Sequence, residues 1–122
     1  MKTVLDLSEI PEVQRLVLAE ASRVLGRHNA RGYLVGGFIR DRLRGEASDD
    51  LDLVVSGIEP ARLARHLVRT LGLAGPVIFP RFKTVLAVGP SVRVEICRLA
   101  GSLDRDASRR DFTVNCLYMD LT

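Results

Sequence analysis

Apolar positions recur along the chain with two different periods, and the periods divide it into elements. Between residues 9 and 27, Ile10, Val13, Leu16, Val17, Ala21, Val24 and Leu25 fall at helical spacing, so an amphipathic helix is expected there. Ser8 is a candidate N-cap and Pro11 is expected inside the first turn. Tyr33-Leu34-Val35 predicts a short strand that runs into Gly36-Gly37, and a helix is expected from about Gly37 to Leu43, stopped by Gly45. A second strand is expected over Leu51–Val55. Pro60 then opens an amphipathic helix to about Leu71. Three further strands are expected around Val77–Phe79, Thr84–Val88 and Val92–Arg98, with Gly89-Pro90 as the turn between the last two. A helical piece over roughly Leu103 to Leu117 completes the pattern. Strands mixed with helices, plus one hairpin, predict a single small α/β (α+β) domain over residues 1–122. Its mixed sheet has about five strands, with helices packed mainly on one face.

Composition changes this picture little. Apolar residues make up 47% of the chain and charged ones 27%, which excludes a disordered or collagenous polymer and leaves an ordinary globular domain. The net charge of +3 leans toward polyanions, and arginine dominates the basic set, with Lys2 and Lys83 as the two lysines. Arginine forks suit phosphate, although the same bias also follows from genome composition. Cys97 and Cys116 sit among apolar residues and read as small hydrophobes rather than a disulfide or a zinc site. His28 and His66 lack partners at ligand spacing and read as helix-surface residues. No apolar run approaches the roughly 20 residues of a membrane span, and no secretory leader opens the chain, so a cytoplasmic protein without membrane contact is expected.

Four segments carry candidate chemistry. In Asp49-Asp50-Leu51-Asp52-Leu53-Val54-Val55, strand alternation puts Asp50 and Asp52 on one face, with Leu51, Leu53 and Val55 turned to the core. Two carboxylates roughly 7 Å apart on one strand face repel each other. A divalent cation between them relieves that repulsion, and a solvated strand edge is the alternative. Glu95 occupies the polar face of Val92-Arg93-Val94-Glu95-Ile96-Cys97, either as a third carboxylate or as a partner of Arg93 or Arg98. Three carboxylates on adjacent strands are what two-metal nucleotidyl transfer requires. Leu34-Val35-Gly36-Gly37-Phe38-Ile39-Arg40-Asp41 is a strand, two glycines and a helix start. Open backbone N–H groups and the Arg40 fork there suit phosphates, and an ordinary tight turn is the alternative. Arg109-Arg110-Asp111-Phe112-Thr113-Val114-Asn115 reads either as a clamp on nucleotide phosphate or sugar, or as a charged helix start.

The segments occur in an order that resembles a known family. Residues 33–41, 50–55, 82–88, 94–98 and 109–115 are similar to the successive head-domain motifs of the bacterial-type (class II) tRNA nucleotidyltransferase (CCA-adding) and poly(A) polymerase family. That family belongs to the polymerase-β-like nucleotidyltransferases. The resemblance spans residues 33 to 120. It implies triphosphate binding by Gly36, Gly37 and Arg40, and magnesium binding in a two-metal mechanism by Asp50, Asp52 and Glu95. It also implies nucleotide contacts by Arg110, Asp111 and Asn115. The implied reaction adds CMP or AMP from CTP or ATP to an RNA 3′ end, tRNA above all, with release of pyrophosphate.

The chain departs from the family's pattern in three places. Only Leu99-Ala100-Gly101 separates Arg98 from Ser102-Leu103-Asp104-Arg105-Asp106, where relatives carry a longer catalytic loop. Lys83 stands where glycine is usual and Cys116 where alanine is common. The sequence stops at Thr122, before the neck, body and tail that select the base and grip tRNA. The expectation is therefore a minimal or excised catalytic core, or one part of a split enzyme with a partner chain. A nucleotide-binding module without turnover and transfer to a small molecule or protein are the alternatives.

Overall fold

In a computed structural model of the chain, the structure describes residues 10–35, 48–81, 83–99 and 118–121, with only the backbone of Tyr118 and Met119. The first helix, α1, is Glu12–Arg27. Pro11 sits at the N-cap position rather than inside the first turn, and its carbonyl accepts from the backbone N–H of Gln14 and of Arg15 at 3.1 Å each. A proline there removes no helical hydrogen bond, because the first N–H groups of a helix have no carbonyl partner within it. Ser8 lies outside the described residues. The buried stripe of α1 is Gln14, Val17, Leu18, Ala21, Val24 and Leu25, while Leu16 falls off it and is 47% exposed. Asn29, at φ 52°, ends the helix and turns the chain into β1, Arg31–Val35.

Strand β2 is Asp50–Ser56 and the second helix, α2, is Pro60–Leu71. Proline at the first helical position and Gly72 at φ 70° after the last turn bound α2, and Leu73 N–H donates back to the Val68 carbonyl at 3.2 Å. Strands β3 (Ala74–Phe79), β4 (Thr84–Gly89), β5 (Val92–Arg98) and β6 (Tyr118–Asp120) follow. The five expected strands are present, and β6 adds a sixth of only three residues. The helices expected over residues 37–43 and 103–117 lie outside the described residues.

The sheet order is β3-β4-β5-β2-β1-β6. Among the described strands only the central pair, β2 with β5, is parallel, and the other four pairs are antiparallel. A parallel neighbour cannot be reached by a tight turn, so the chain crosses over through α2, β3 and β4 before β5 enters. Both described helices pack on one face of the sheet. There Leu51, Leu53, Val55, Val94 and Ile96 meet Val17, Leu25, Leu63 and Leu67 in one core. Each fully buried leucine in it stabilises the fold by about 1.5–3 kcal/mol. Val35, Val54 and Leu86 are buried as well, but the strand register puts them on the opposite face. That explains the nearly unbroken apolar run of β2, which lies at the centre of the sheet.

Candidate active site

The face of the sheet away from the helices carries the acids. In the parallel β2–β5 pair, Asp52 is the register partner of Glu95 and Asp50 that of Arg93, while Leu51 and Leu53 pair with Val94 and Ile96 on the core face. Adjacent strands lie about 4.8 Å apart. Asp52 and Glu95 are therefore side by side, with Asp50 one pleat away along β2. Arg93 stands among these acids. Its Nη2 donates to Glu95 Oε1 at 3.4 Å and its Nε lies 3.9 Å from Asp50 Oδ1. The side chains of Asp50 and Glu95 are 67% and 43% exposed, so the guanidinium is held only by solvated pairs. Pairs of this kind contribute about 0–1 kcal/mol. Asp52 is half-buried and also has an interaction partner.

Backbone tethers fix the place where β2 begins. Gln14, 1% exposed in the apolar stripe of α1, donates from Nε2 to the Ser48 carbonyl at 2.8 Å and to the Ser91 carbonyl at 2.9 Å. Both partners are acceptors, so the amide nitrogen must face them. Its Oε1 has no partner among the described residues. Ser48 Oγ accepts from Asp50 N–H at 3.3 Å, and Arg93 N–H donates to the Asp49 carbonyl at 2.7 Å. One helix residue thus ties the approach to β2 to the β4–β5 turn, where Ser91 sits at φ 58° after Pro90.

Of the residues singled out in the sequence, Asp50, Asp52 and Glu95 share one face of adjacent strands. Gly36, Gly37, Arg40, Arg110, Asp111 and Asn115 lie outside the described residues. Among the described residues no three acid, histidine or cysteine side chains are drawn together as a metal-ligand cluster. Asp50 and Glu95 turn to Arg93 instead. Arg93 was visible beforehand as a possible partner of Glu95, since residues two apart on a strand share a face. Arg98 instead pairs with Glu59, which precedes α2. Gln14 was missed, although a polar residue three positions before Val17 in an apolar stripe was its signal. Cys97 is half-buried beside Glu95 on the acid face rather than in the core.

The model of the poly A polymerase head domain matches residues 32–101, more than half of the chain. The CC-adding tRNA nucleotidyltransferase of Shouchella clausii (strain KSM-K16) is 35% identical over 104 residues, covering 84% of this chain and 26% of the relative. A solved tRNA-processing enzyme in an apo form superposes with a TM-score of 0.80 at 30% identity, over 93% of this chain and 31% of that one. A crystal structure of tRNA nucleotidyltransferase complexed with a primer tRNA and an incoming ATP analog superposes at 0.73. It is 30% identical over 84% of this chain and 31% of its own. The fold is that of the head portion of nucleotide-adding tRNA enzymes. The chain belongs to the poly A polymerase head domain family, whose members are generally metal-dependent, and it spans about a quarter of the length of its curated relatives.

Proposed function

We propose that the chain is the catalytic head of a nucleotidyltransferase that adds CMP or AMP from CTP or ATP to the 3′ end of an RNA, tRNA foremost, and releases pyrophosphate. The register pairing of Asp52 with Glu95, with Asp50 on the same face and all three within the family-matched segment, carries this reading. An all-carboxylate donor set fits a hard divalent cation, magnesium above all. Asp50, Asp52 and Glu95 would hold it, once Arg93 gives up two solvated pairs of about 0–1 kcal/mol each. A cation held there would supply charge neutralisation for the triphosphate and would favour ionisation of the attacking hydroxyl. The chain's own residues do the rest. The β2–β5 pair holds the acids in fixed register, Gln14 anchors the loop that leads into Asp50, and Arg93 offsets the repulsion among the carboxylates until a cation arrives. Gly36, Gly37 and Arg40 would take the triphosphate, and Arg110, Asp111 and Asn115 the nucleoside.

Base selection and the larger part of the grip on tRNA are assigned to the remainder of a longer protein or to a partner chain, and the reaction to the cytoplasm. The test supplies labelled CTP and ATP separately, with magnesium, on tRNA ending at successive truncations, and includes candidate partner chains. Incorporation with pyrophosphate release is expected, falling by about a hundred- to a thousandfold in Asp52→Ala, a magnitude typical of losing a group that stabilises transition-state charge. Nucleotide binding without any incorporation, under every partner condition, would overturn the assignment.

A further inference from the structure

The helical side of the sheet holds a second charged feature that the acid site does not use. A cleft of about 270 Å³ opens between the end of α1 and the outer face of α2, lined by Val24, Arg27, His28, Arg62, His66 and Arg69. Among the described residues that line it, Val24 alone is apolar. His66 Nε2 lies 2.7 Å from Glu20 Oε1, and Glu20 also pairs with Arg23, so the nearest acid is already engaged. Arg27, Arg62 and Arg69 are exposed and have no acid partner among the described residues.

Helix electrostatics account for only part of this arrangement. Arg27 and Arg69 stand in the last turns of their helices, where the carbonyl ends favour a cation. Arg62 stands in the first turn of α2, where the same dipole disfavours one. Arg65 follows at i+3 from Arg62 and precedes Arg69 by four, so α2 stacks like charges that cost about 0.2–0.5 kcal/mol per pair. An anion along this face offsets both penalties. From Arg62 to Arg69 the helix rises about 10 Å. At one phosphate per roughly 3.4 Å of strand, that spans about three nucleotides. Among the described residues that line the cleft there is no Phe, Tyr or Trp, and three of the six are arginines, so phosphate is the group it is best equipped to hold.

The geometry points to a second RNA contact. The Arg27–Arg62–Arg69 cleft grips the phosphodiester backbone of the RNA substrate at a distance from its reacting 3′ end, without reading sequence. The cleft lies on the sheet face opposite the acids, so a polymer reaches both, whereas the triphosphate at the acid site cannot also sit here. This inference rests on the RNA-substrate reading above.

Its test measures binding and not turnover. The intact chain is titrated with fluorescein-labelled tRNA and, separately, with CTP and inorganic triphosphate, over a range of salt. Combined Arg27→Ala, Arg62→Ala and Arg69→Ala substitution is expected to weaken tRNA binding by about ten- to a hundredfold at ~50 mM salt. It should also flatten the slope of log K against log salt by about two. Arg62→Ala alone should remove somewhat less than one unit of slope, which covers failure of the triple variant to fold. The matching lysine variants should restore most of the affinity. An unchanged tRNA affinity and slope in the folded variants, or no tRNA binding by the wild type, would overturn the cleft. So would a loss confined to CTP or triphosphate, which would mark a free-nucleotide site. Arginine-dependent tRNA binding without incorporation sinks the transfer reading and leaves the cleft, and incorporation with unaltered tRNA affinity does the reverse.

Discussion

The two faces of this sheet carry opposite charge by two different devices. On the open face, strand alternation aligns Asp50, Asp52 and Glu95, with Arg93 as the cation between two of them. On the helical face, the polar side of α2 and the end of α1 collect arginines and histidines, with Glu20 as the acid beside them. The overall charge of +3 averages the two and conceals both. A helix is about 10–12 Å across, more than the Debye length of about 8 Å at physiological salt. The faces are therefore electrostatically separate, and a change on one should leave the other alone.

That separation can be challenged by three substitutions. The largest effect is expected from Gln14→Ala, which strands the Ser48 and Ser91 carbonyls and frees the start of β2. Urea denaturation should show a loss of about 1–3 kcal/mol. Amide exchange should quicken around Asp50 and Ser91 but not along α2. Uniform loosening of both faces would mean that Gln14 serves the whole core rather than the acid face.

Arg93→Ala comes next. Without its guanidinium the carboxylates lose their resident cation, and divalent affinity followed by calorimetry should rise about three- to tenfold, as expected for one solvent-screened charge near 4 Å. Thermal stability of the helical face should not move. Weaker cation binding in this variant would show that Arg93 positions the acids rather than competing for them.

The smallest effect belongs to Glu20. Arg23 and then His66 hydrogen-bond its carboxylate and hold it at about 2, below the usual 4.5. The folded state therefore favours the ionised form. The stability this contributes is present above pH 4.5 and fades as the pH falls from there toward about 2. In Glu20→Gln the melting temperature should fall short of wild type at neutral pH, and the gap should close through that acid window. A gap that persists below pH 2 would assign the loss to packing.

Local patterns in the sequence revealed faces better than neighbours. Alternation was enough to put Asp50 and Asp52 on one side of β2, and helical spacing bounded α2 from Pro60 to Leu71. Nothing local states that β5 lies beside β2, because that contact is made by a crossover and is set by tertiary packing. The family resemblance supplied the adjacency that periodicity could not. Strand β3 was expected around Val77–Phe79. The strand instead starts at Ala74 with a register shift before Val77, on a sheet edge where proline is tolerated. Gly75 is at φ 109°, and a Cβ there would meet the Leu86 carbonyl at 3.0 Å, so this edge requires glycine. The three residues of β6 carry too short a pattern to announce a strand.

Asp52 and Glu95 are register partners although more than forty residues of chain separate them. Along the chain, the second acid follows the first only after α2 and two further strands. A ligand that needs both side chains can be captured only by a finished sheet. Its presence would then favour the assembled sheet by mass action, making the supply of that ligand a force on folding.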